Sequence, residues 1–211
     1  MLDKIAIIGY SGHGYVVAEC ALDAGLNIRY YCDKKIAKEN PFDLKYLGFE
    51  EDVDFLGWKE DFQFLLGIGD NKIRDKVSKT VLNHHKTLLN VIHPSSSISK
   101  HFEMGVGNFI SRNVSVNPLV RMGNFCILNT ACVIEHECKI GNSVHVAPGA
   151  VLAGSVQIGD YTFIGANAVI KQGVKIGANV TIGAGSVVLK DVAENETIVG
   201  NPGRVFRISN P

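Results

Sequence analysis

The chain has 211 residues, which allows two small domains, and its 21 basic and 21 acidic side chains give a net charge of zero. This balance offers no electrostatic reason to bind nucleic acid or an anionic membrane. No stretch approaches the ~18 consecutive apolar residues that span a membrane, and the N-terminus lacks the pattern of a signal peptide. We therefore expect a soluble, cytoplasmic protein with no membrane span.

The N-terminal part alternates apolar runs with helical patterns, as βαβ units with a parallel sheet do. A helical pattern follows the first apolar run and ends at Gly25, and the polar stretch 34–60 predicts a loop or an irregular hairpin. The patterns predict a half-Rossmann module over residues 1–91, with strands at 4–9, 27–32, 62–67 and 87–92 and a second helix at 71–83.

A glycine-rich turn at residues 9–14 joins the first strand to the first helix. Backbone N–H groups and the helix dipole favour phosphate at such a place. Asp33 closes the second strand, about where dinucleotide-binding folds place an acid on the ribose. The glycines nevertheless read G-x-x-G-x-G rather than G-x-G-x-x-G, so the turn alone leaves nucleotide binding and a merely tight turn equally open.

From Ile92 to Val188 a branched aliphatic residue or methionine recurs at every sixth position. This period fits neither a helix nor a plain strand, and it predicts a parallel β-helix of hexapeptide repeats with one short strand per repeat. Residues 92–211 then form a second domain with a turn-rich C-terminal tail. Glycine follows the large residue once in every eighteen positions, and we expect these glycines to relax one corner of each coil: Gly105, Gly123, Gly141, Gly159 and Gly177.

Three of the five cysteines, Cys126, Cys132 and Cys138, are six positions apart. A metal site is one interpretation. All three occupy the small inward position of the repeat, however, so we expect core residues and no bound metal. Cys20 and Cys32 fall on a predicted helix and strand, which favours reduced thiols.

The outward residues of the repeat are mostly small or polar, except around residues 129–138. His136 and His145 both project outward in the repeat frame, and His136 lies between two glutamates. A histidine beside a carboxylate is suited to act as a general base. The alternative, an exposed polar residue on a solvated face, stays open on spacing alone.

The order of these motifs resembles the bacterial sugar acyltransferases of the PglD/NeuD type. The resemblance rests on Gly-x-Ser-Gly-His-Gly at 9–14, Ile-Gly-x-Asn at 68–71, and Asn-Thr-x-x-x-Ile-Glu-His-Glu-Cys at 129–138 in the hexapeptide frame. It implies a left-handed β-helix, acetyl-CoA as acetyl donor, and a homotrimer with active sites between neighbouring prisms. It also implies direct N-acetylation of the 4-amino group of a UDP-type nucleotide-linked amino sugar.

The resemblance assigns roles residue by residue. His136 is the expected general base, Glu137 its orienting carboxylate, and Asn129 an assisting residue. The residues expected to contact acetyl-CoA are His145, Gly154, Gly200 and Arg204. The residues expected to contact the nucleotide sugar are Gly12, His13, Gly14, Asp33, Lys34 and Asn71.

Three other functions remain as alternatives. The first is a sialic acid O-acetyltransferase, which the same resemblance covers. The second is a zinc carbonic anhydrase, which needs three converging histidines and has only His136 and His145 as good candidates, with His93 and His101 near the start of the repeat. The third is a non-catalytic β-helix.

Overall fold

The computed structural model describes residues 4–206, so residues 1–3 and 207–211 of the two predicted domains lie outside the described range. No helix within residues 4–206 is long and apolar enough to cross a membrane. We call residues 4–88 the N-terminal module and residues 91–199 the prism. The division into domains at residue 91 stays a prediction.

The N-terminal module is a five-stranded parallel sheet in the order β3-β2-β1-β4-β5. Its strands are β1 (Lys4–Ile8), β2 (Ile28–Cys32), β3 (Lys45–Gly48), β4 (Phe62–Leu66) and β5 (Thr87–Leu88). Its helices are α1 (Gly12–Asp23), α2 (Leu56–Lys59) and α3 (Asn71–Asn83). β1 is the central strand, and from it the chain builds outward first through β2 and then through β4. The crevice at this reversal, outside the carboxyl ends of the strands, is where such sheets bind ligands.

The sequence predictions for β1, β2, β4, α1 and α3 are confirmed within a residue or two. The prediction for 34–60 is wrong, because this stretch contains β3, which pairs in parallel with β2, and α2. A four-residue strand at a sheet edge is paired on one side only, so it needs no apolar run. The prediction of a single strand at 87–92 is also wrong. This stretch forms two separate strands, and the second, β6 (Val91–Ile92), belongs to the prism.

The prism is a left-handed parallel β-helix with three faces of two-residue strands, each pairing with the strand eighteen residues later. The docked face contains β6, β9 (Phe109–Ile110), β12 (Ile127–Leu128), β15 (His145–Val146), β18 (Phe163–Ile164) and β21 (Thr181–Ile182). The valine face contains β7 (Ser97–Ile98), β10 (Ser115–Val116), β13 (Val133–Ile134), β16 (Val151–Leu152), β19 (Val169–Ile170) and β22 (Val187–Val188). The charged face contains β8 (Glu103–Met104), β11 (Arg121–Met122), β14 (Lys139–Ile140), β17 (Gln157–Ile158) and β20 (Lys175–Ile176).

The period-six residues form the buried column that the sequence predicts, and Cys126, Cys132 and Cys138 are fully buried within it. The predicted role of the repeated glycines is wrong. Left-handed φ values occur three positions after the large residue, often without glycine, as at Asn113 (58°) and Tyr161 (60°). At the repeated glycines a Cβ would instead lie 2.0 to 2.6 Å from atoms of the next coil. They are required by the close approach of successive coils.

The prism also continues beyond Val188, where the sequence predicts its end. The last coil has sixteen residues instead of eighteen. Val192 therefore pairs with Ile176, and Ile198 of β23 (Thr197–Val199) pairs with Ile182. Both side chains join the core. β24 (Arg204–Val205) then pairs antiparallel with β23 and forms the last strand on the docked face. A change of step length hides this coil from a strict count of six.

The N-terminal module packs against the docked face. The first three strands of the docked face each direct one outward side chain into the interface: Val91, Phe109 and Ile127. These side chains are at most 3% exposed and share one core cluster with residues of α1 and β1. Arg112 of the prism adds ion pairs of 2.8 Å to Glu19 and to Asp23 of α1. The module therefore covers one face of the prism and leaves the other two faces open.

Candidate functional site

His136 and Glu137 lie at the corner between the valine face and the charged face. Nδ1 of His136 is 3.0 Å from Oε2 of Glu137, and about half of each side chain is exposed. If Nδ1–H donates to the carboxylate, Nε2 carries the free lone pair, and the carboxylate stabilises the imidazolium that forms when Nε2 takes a proton. The pair therefore has the geometry of an oriented general base.

Gly154 lies one coil beyond His136 and makes room for its ring. A Cβ at this buried glycine would lie 2.6 Å from both Cε1 and Nε2 of His136. The contact was missed in the sequence, although the eighteen-residue period places residue 154 directly beside residue 136. Contact of Gly154 with acetyl-CoA stays a prediction.

The second flanking glutamate does not meet the His136 ring. Oε2 of Glu135 accepts a 2.7 Å hydrogen bond from Nδ2 of Asn117, one coil earlier. Glu137 alone is therefore the carboxylate partner of His136 among the described contacts.

His145 projects outward from the prism as the sequence predicts, but it is only 9% exposed because the N-terminal module covers it. Its Nε2 accepts from Nδ2 of Asn129 at 3.2 Å. Burial, together with the positive charge of Arg74 and the nearby His13, lowers the pKa of His145 to about 3. The ring is therefore neutral at physiological pH. Within one chain, Asn129 and His145 lie on the docked side of the prism, away from the corner that carries His136.

His13, in the first turn of α1, faces the same junction between module and prism. Its ring centroid is 6.2 Å from that of His145 and 5.4 Å from that of Phe109. Burial and Arg74 lower the pKa of His13 to about 4. Its Nε2 is buried without a hydrogen-bond partner among residues 4–206. His13, His145 and Asn129 thus form a second cluster, distinct from the His136 corner.

Arg74 of α3 organises this junction and was missed in the sequence, where it reads as an ordinary polar residue of a helix. It is 1% exposed. Its guanidinium donates to the carbonyls of Ile68, Gly69, Phe125 and Ser143 and to Oδ1 of Asn71, at 2.7 to 3.1 Å. Burial lowers its pKa to about 10, which still leaves it charged at neutral pH. Arg74 therefore ties the loop after β4 to the prism.

A cavity of 350 Å³ opens at the carboxyl ends of β1, β2, β3 and β4, in the crevice that the strand order creates. It is lined by Gly9, Ser11, His13, Asp33, Lys34, Phe49, Glu50, Gly67, Ile68, Gly69, Ile73 and Val77. Its size is within the range of about 300–1,000 Å³ that is usual for small-molecule pockets.

The start of α1 faces this cavity with its backbone N–H groups uncapped. Ser11, the N-cap residue, makes no side-chain capping hydrogen bond, and the first turn contains no acidic residue. A Cβ at Gly12 would meet nothing within 4 Å, whereas one at Gly14 would lie 2.1 Å from the Gly9 carbonyl oxygen. Gly12 therefore leaves open space, and Gly14 is required by packing. The start of α3, by contrast, is capped by the Asp70 side chain.

The other predicted nucleotide contacts divide into two groups. Asp33 and Lys34 line the cavity, and the Asp33 carboxylate also accepts the N–H groups of Tyr10 at 3.0 Å and Lys34 at 2.7 Å. Asn71 lies instead at the junction. Its Nδ2 donates to the carbonyls of Tyr161 and Thr162, and its Oδ1 accepts from Arg74. A substrate contact by Asn71 stays a prediction, since both of its polar groups have protein partners.

Glu50 is the second residue of the site that the sequence did not reveal. It follows β3, is 7% exposed and lines the cavity, and its Oε2 is buried without a hydrogen-bond partner among residues 4–206. Burial raises the pKa of Glu50; a hydrogen bond from its own backbone opposes this effect, and the charges of Glu51 and Asp33 reinforce it. Nothing in the polar stretch 34–60 distinguishes this glutamate from its neighbours, because its burial depends on β3 pairing with β2.

Gly200 and Arg204 lie at the far end of the prism. A second cavity there, of 480 Å³, is lined in part by Arg204 and Lys190. Lys190 occupies the same corner position as His136, three coils later, which corresponds to about 14 Å at the usual strand spacing. Within the described range, no group of three or more His, Cys, Asp or Glu side chains is placed to hold a metal ion.

Comparison with known proteins agrees with this architecture. Residues 4–81 match the PglD N-terminal domain family, and residues 155–190 match the bacterial transferase hexapeptide family, which is defined by six repeats. A curated relative, GDP-perosamine N-acetyltransferase of Escherichia coli O157:H7, is 39% identical over 87 residues. That match spans 41% of this chain and 39% of the relative.

Two solved structures are similar over nearly the whole chain. PerB from Caulobacter crescentus, solved in complex with CoA and GDP-perosamine, is 30% identical with a TM-score of 0.90, over 98% of this chain and 99% of that chain. The acetyltransferase domain of PglB from Neisseria gonorrhoeae FA1090, in complex with acetyl coenzyme A, is 29% identical with a TM-score of 0.91, over 98% and 100%. The chain therefore belongs to the PglD-type family of hexapeptide-repeat acyltransferases.

Proposed function

We propose that the chain is an acetyl-CoA-dependent N-acetyltransferase that acts on the 4-amino group of a nucleotide-linked amino sugar. The observation that carries the proposal is the His136–Glu137 pair, whose ring lies against Gly154 at an open corner of the prism. The names of the similar proteins support the same class of substrate, since the E. coli relative and PerB are both described with GDP-perosamine.

The reaction is a direct transfer between two bound substrates. The amine nitrogen attacks the thioester carbonyl and gives a proton to Nε2 of His136, while Glu137 stabilises the imidazolium. The carbon–sulfur bond then breaks, and the departing CoA thiolate takes up the proton that Nε2 of His136 received, which regenerates the base. Holding both substrates at one corner supplies much of the acceleration. An acyl-cysteine intermediate has no support, because all five cysteines are buried, and burial raises the pKa of Cys126 and Cys132 to about 12.

The corner beyond His136 is suited to an extended cofactor with an anionic end. Gly154 is followed at the same corner by Gln172 and Lys190, and Arg204 shares the end cavity with Lys190. The thioester would lie near His136 and the phosphates near the two cations. His145 and Gly200 remain predicted contacts of this cofactor.

The valine face supports assembly of a homotrimer. Its outward residues include Val133, Val151, Val169 and Val187, of which Val169 is 39% exposed. The charged face carries only polar or ionic side chains at the matching positions, such as Lys139, Gln157 and Lys175. A second copy packed on the valine face would bring another surface to the His136 corner. Because Asn129 and His145 lie on a different side of their own prism, they can share a site with His136 only if two subunits contribute.

The cavity of the N-terminal module is the proposed site of the nucleotide. The uncapped start of α1 and the open space at Gly12 suit a diphosphate, and Asp33 and Lys34 lie beside it. The UDP-type nucleotide expected from the sequence rests on the resemblance alone. The choice of base depends on the groups that line the cavity.

The proposal is tested by measuring thiol release from acetyl-CoA with UDP-, dTDP- and GDP-linked 4-amino sugars and with sialic acid. We expect turnover with at least one nucleotide-linked 4-amino sugar, and none with the corresponding 4-hydroxy sugars, which serve as matched controls. Turnover with sialic acid alone would show an O-acetyltransferase and overturn the proposal. Failure to bind acetyl-CoA by calorimetry would overturn it in favour of a non-catalytic β-helix.

A further inference from the structure

The most unusual polar group outside the His136 corner is the carboxyl of Glu50. A carboxylate buried to this extent is normally paired or hydrogen-bonded, because burial without a partner is costly. Lys34 lines the same cavity, but its Nζ lies over the Phe49 ring, 5.9 Å from the ring centroid, and it makes no ion pair with Glu50 among the described contacts. The Oε2 atom of Glu50 therefore has no hydrogen-bond donor among residues 4–206, and a ligand in the cavity that this residue lines could supply one.

The walls around Glu50 suit a flat aromatic ring. The side chains of Phe49, Ile68, Ile73 and Val77 line the same cavity and are apolar. Gly9, Ser11 and the start of α1 line it as well, and these are the groups suited to a diphosphate. A nucleoside diphosphate can therefore place its phosphates at α1 and its base against the apolar wall, with the edge of the base directed at Glu50.

Nucleobases differ in the donors that they offer to a carboxylate along the Watson–Crick edge. Guanine offers two adjacent donors, N1–H and N2–H. Uracil and thymine offer one donor, N3–H, between two carbonyl oxygens that would face the negative charge. Adenine and cytosine pair one donor with an adjacent acceptor. Guanine is thus the base that best satisfies an unpartnered carboxylate without placing an acceptor beside it.

We propose that Glu50 reads the base of the nucleotide and selects guanine, so that the substrate is a GDP-linked amino sugar. This inference rests on the proposed function and revises the UDP-type nucleotide expected from the sequence. Asp33 is less suited to this role, because its two carboxylate oxygens already accept backbone N–H groups of the chain.

The test is the affinity of the full chain for GDP, UDP, dTDP and ADP by calorimetry, with Glu50→Gln as the variant. We expect GDP to bind at least about tenfold more tightly than the other three, as a site built around buried polar groups discriminates. Glu50→Gln should weaken GDP binding by about tenfold or more and leave UDP binding unchanged or improved. The glutamine amide donates a hydrogen bond where guanine also donates, and it matches uracil better.

Glu51→Gln is the matched control, because Glu51 is the next residue, is half-exposed, and pairs with Lys76 outside the cavity. It should leave all four affinities unchanged. Equal affinities for GDP and UDP, tighter binding of UDP, or equal weakening of all nucleotides by Glu50→Gln would each overturn the inference. A melting curve for each variant separates loss of binding from loss of folding.

Thiol release and nucleotide binding test the guanine selectivity and the acetyltransferase activity separately. Thiol release with a UDP-linked but not with a GDP-linked 4-amino sugar would overturn the guanine inference and leave the acetyltransferase in place. Selective, Glu50-dependent GDP binding without acetyl transfer to any 4-amino sugar would uphold the inference and overturn the acetyltransferase.

Discussion

The two regions that hold the candidate reactive groups place them in opposite environments. At the prism corner, His136 and Glu137 are half-exposed, and their position follows from a repeat that recurs along the whole prism. In the N-terminal module and its junction with the prism, His145 and Glu50 are buried and His13 is partly buried, and each depends on contacts made once. An exposed group on a rigid repeat can be changed without disturbing the fold, whereas a change to a buried group also alters the stability of the folded chain.

The largest effect should come from His136→Ala at the exposed corner. Loss of a general base lowers the rate by roughly 10² to 10⁴-fold, and an exposed side chain of this kind contributes little to the free energy of unfolding. We expect kcat in the thiol-release assay to fall by this factor, with an unchanged melting curve.

His85→Asn is the control for this variant, because His85 is exposed, lies after α3, and has a left-handed φ of 55° that asparagine tolerates. It should retain full activity. Retention of wild-type kcat by His136→Ala between pH 6 and 9 would rule out His136 as the base.

A smaller effect on activity should come from Gly154→Ala. The added Cβ would lie 2.6 Å from the His136 ring, which can swing toward solvent, so the fold should tolerate the change. A misplaced base can lower the rate by about 10²-fold. We expect kcat to fall by roughly 10 to 100-fold with little change in the unfolding midpoint. Unchanged activity would show that the ring position seen here is not the one that reacts.

The smallest effect is expected for the buried His145, as a dependence of the free energy of unfolding on pH. The pKa of His145 is about 3 in the folded chain against 6.5 for an ordinary histidine. Above pH 6.5 neither state binds the proton, whereas below it the unfolded state does and the folded state does not. The free energy of unfolding should therefore decrease as the pH is lowered below about 6.5, by at most about 1.4 kcal/mol per pH unit for this histidine.

His145→Gln removes this titration, so the loss of unfolding free energy between pH 6.5 and 5 should be smaller than in the wild type by about 1.5 kcal/mol. The measurement is urea unfolding at a series of pH values. An equally steep fall in His145→Gln would mean that His145 is not held in its neutral form by the fold.

The prism was largely predictable because its repeat is local. The spacing of large residues determined the strands, the burial of Cys126, Cys132 and Cys138, and the outward direction of His136. A strict period of six does not extend to Val192 and Ile198, because the last coil is sixteen rather than eighteen residues long. The repeated glycines suggested a need for backbone freedom, whereas they are required because successive coils pack closely.

The N-terminal module was predictable only in its regular elements. The sequence by itself determined β1, the glycine-rich turn and α1, because apolar runs and turn residues act over short distances. It could not show that β3 forms, that Arg74 is buried, or that Oε2 of Glu50 has no hydrogen-bond partner among residues 4–206. These facts depend on residues far apart in the chain, such as Arg74 with Phe125 and Ser143.

The order and spacing of the residues were thus enough to predict a hexapeptide β-helix that follows a parallel α/β module, with an outward histidine between two glutamates. The resemblance already assigned Glu137 to His136, and the three-dimensional structure shows why Glu135 does not compete: it binds Asn117 one coil earlier. The folded chain was needed to show that Gly154 makes room for the ring and that the N-terminal module covers His145. The physical reason is that a repeat specifies direction, in or out, at each position. Which neighbour an outward group meets is decided by the next coil and by the module packed against it.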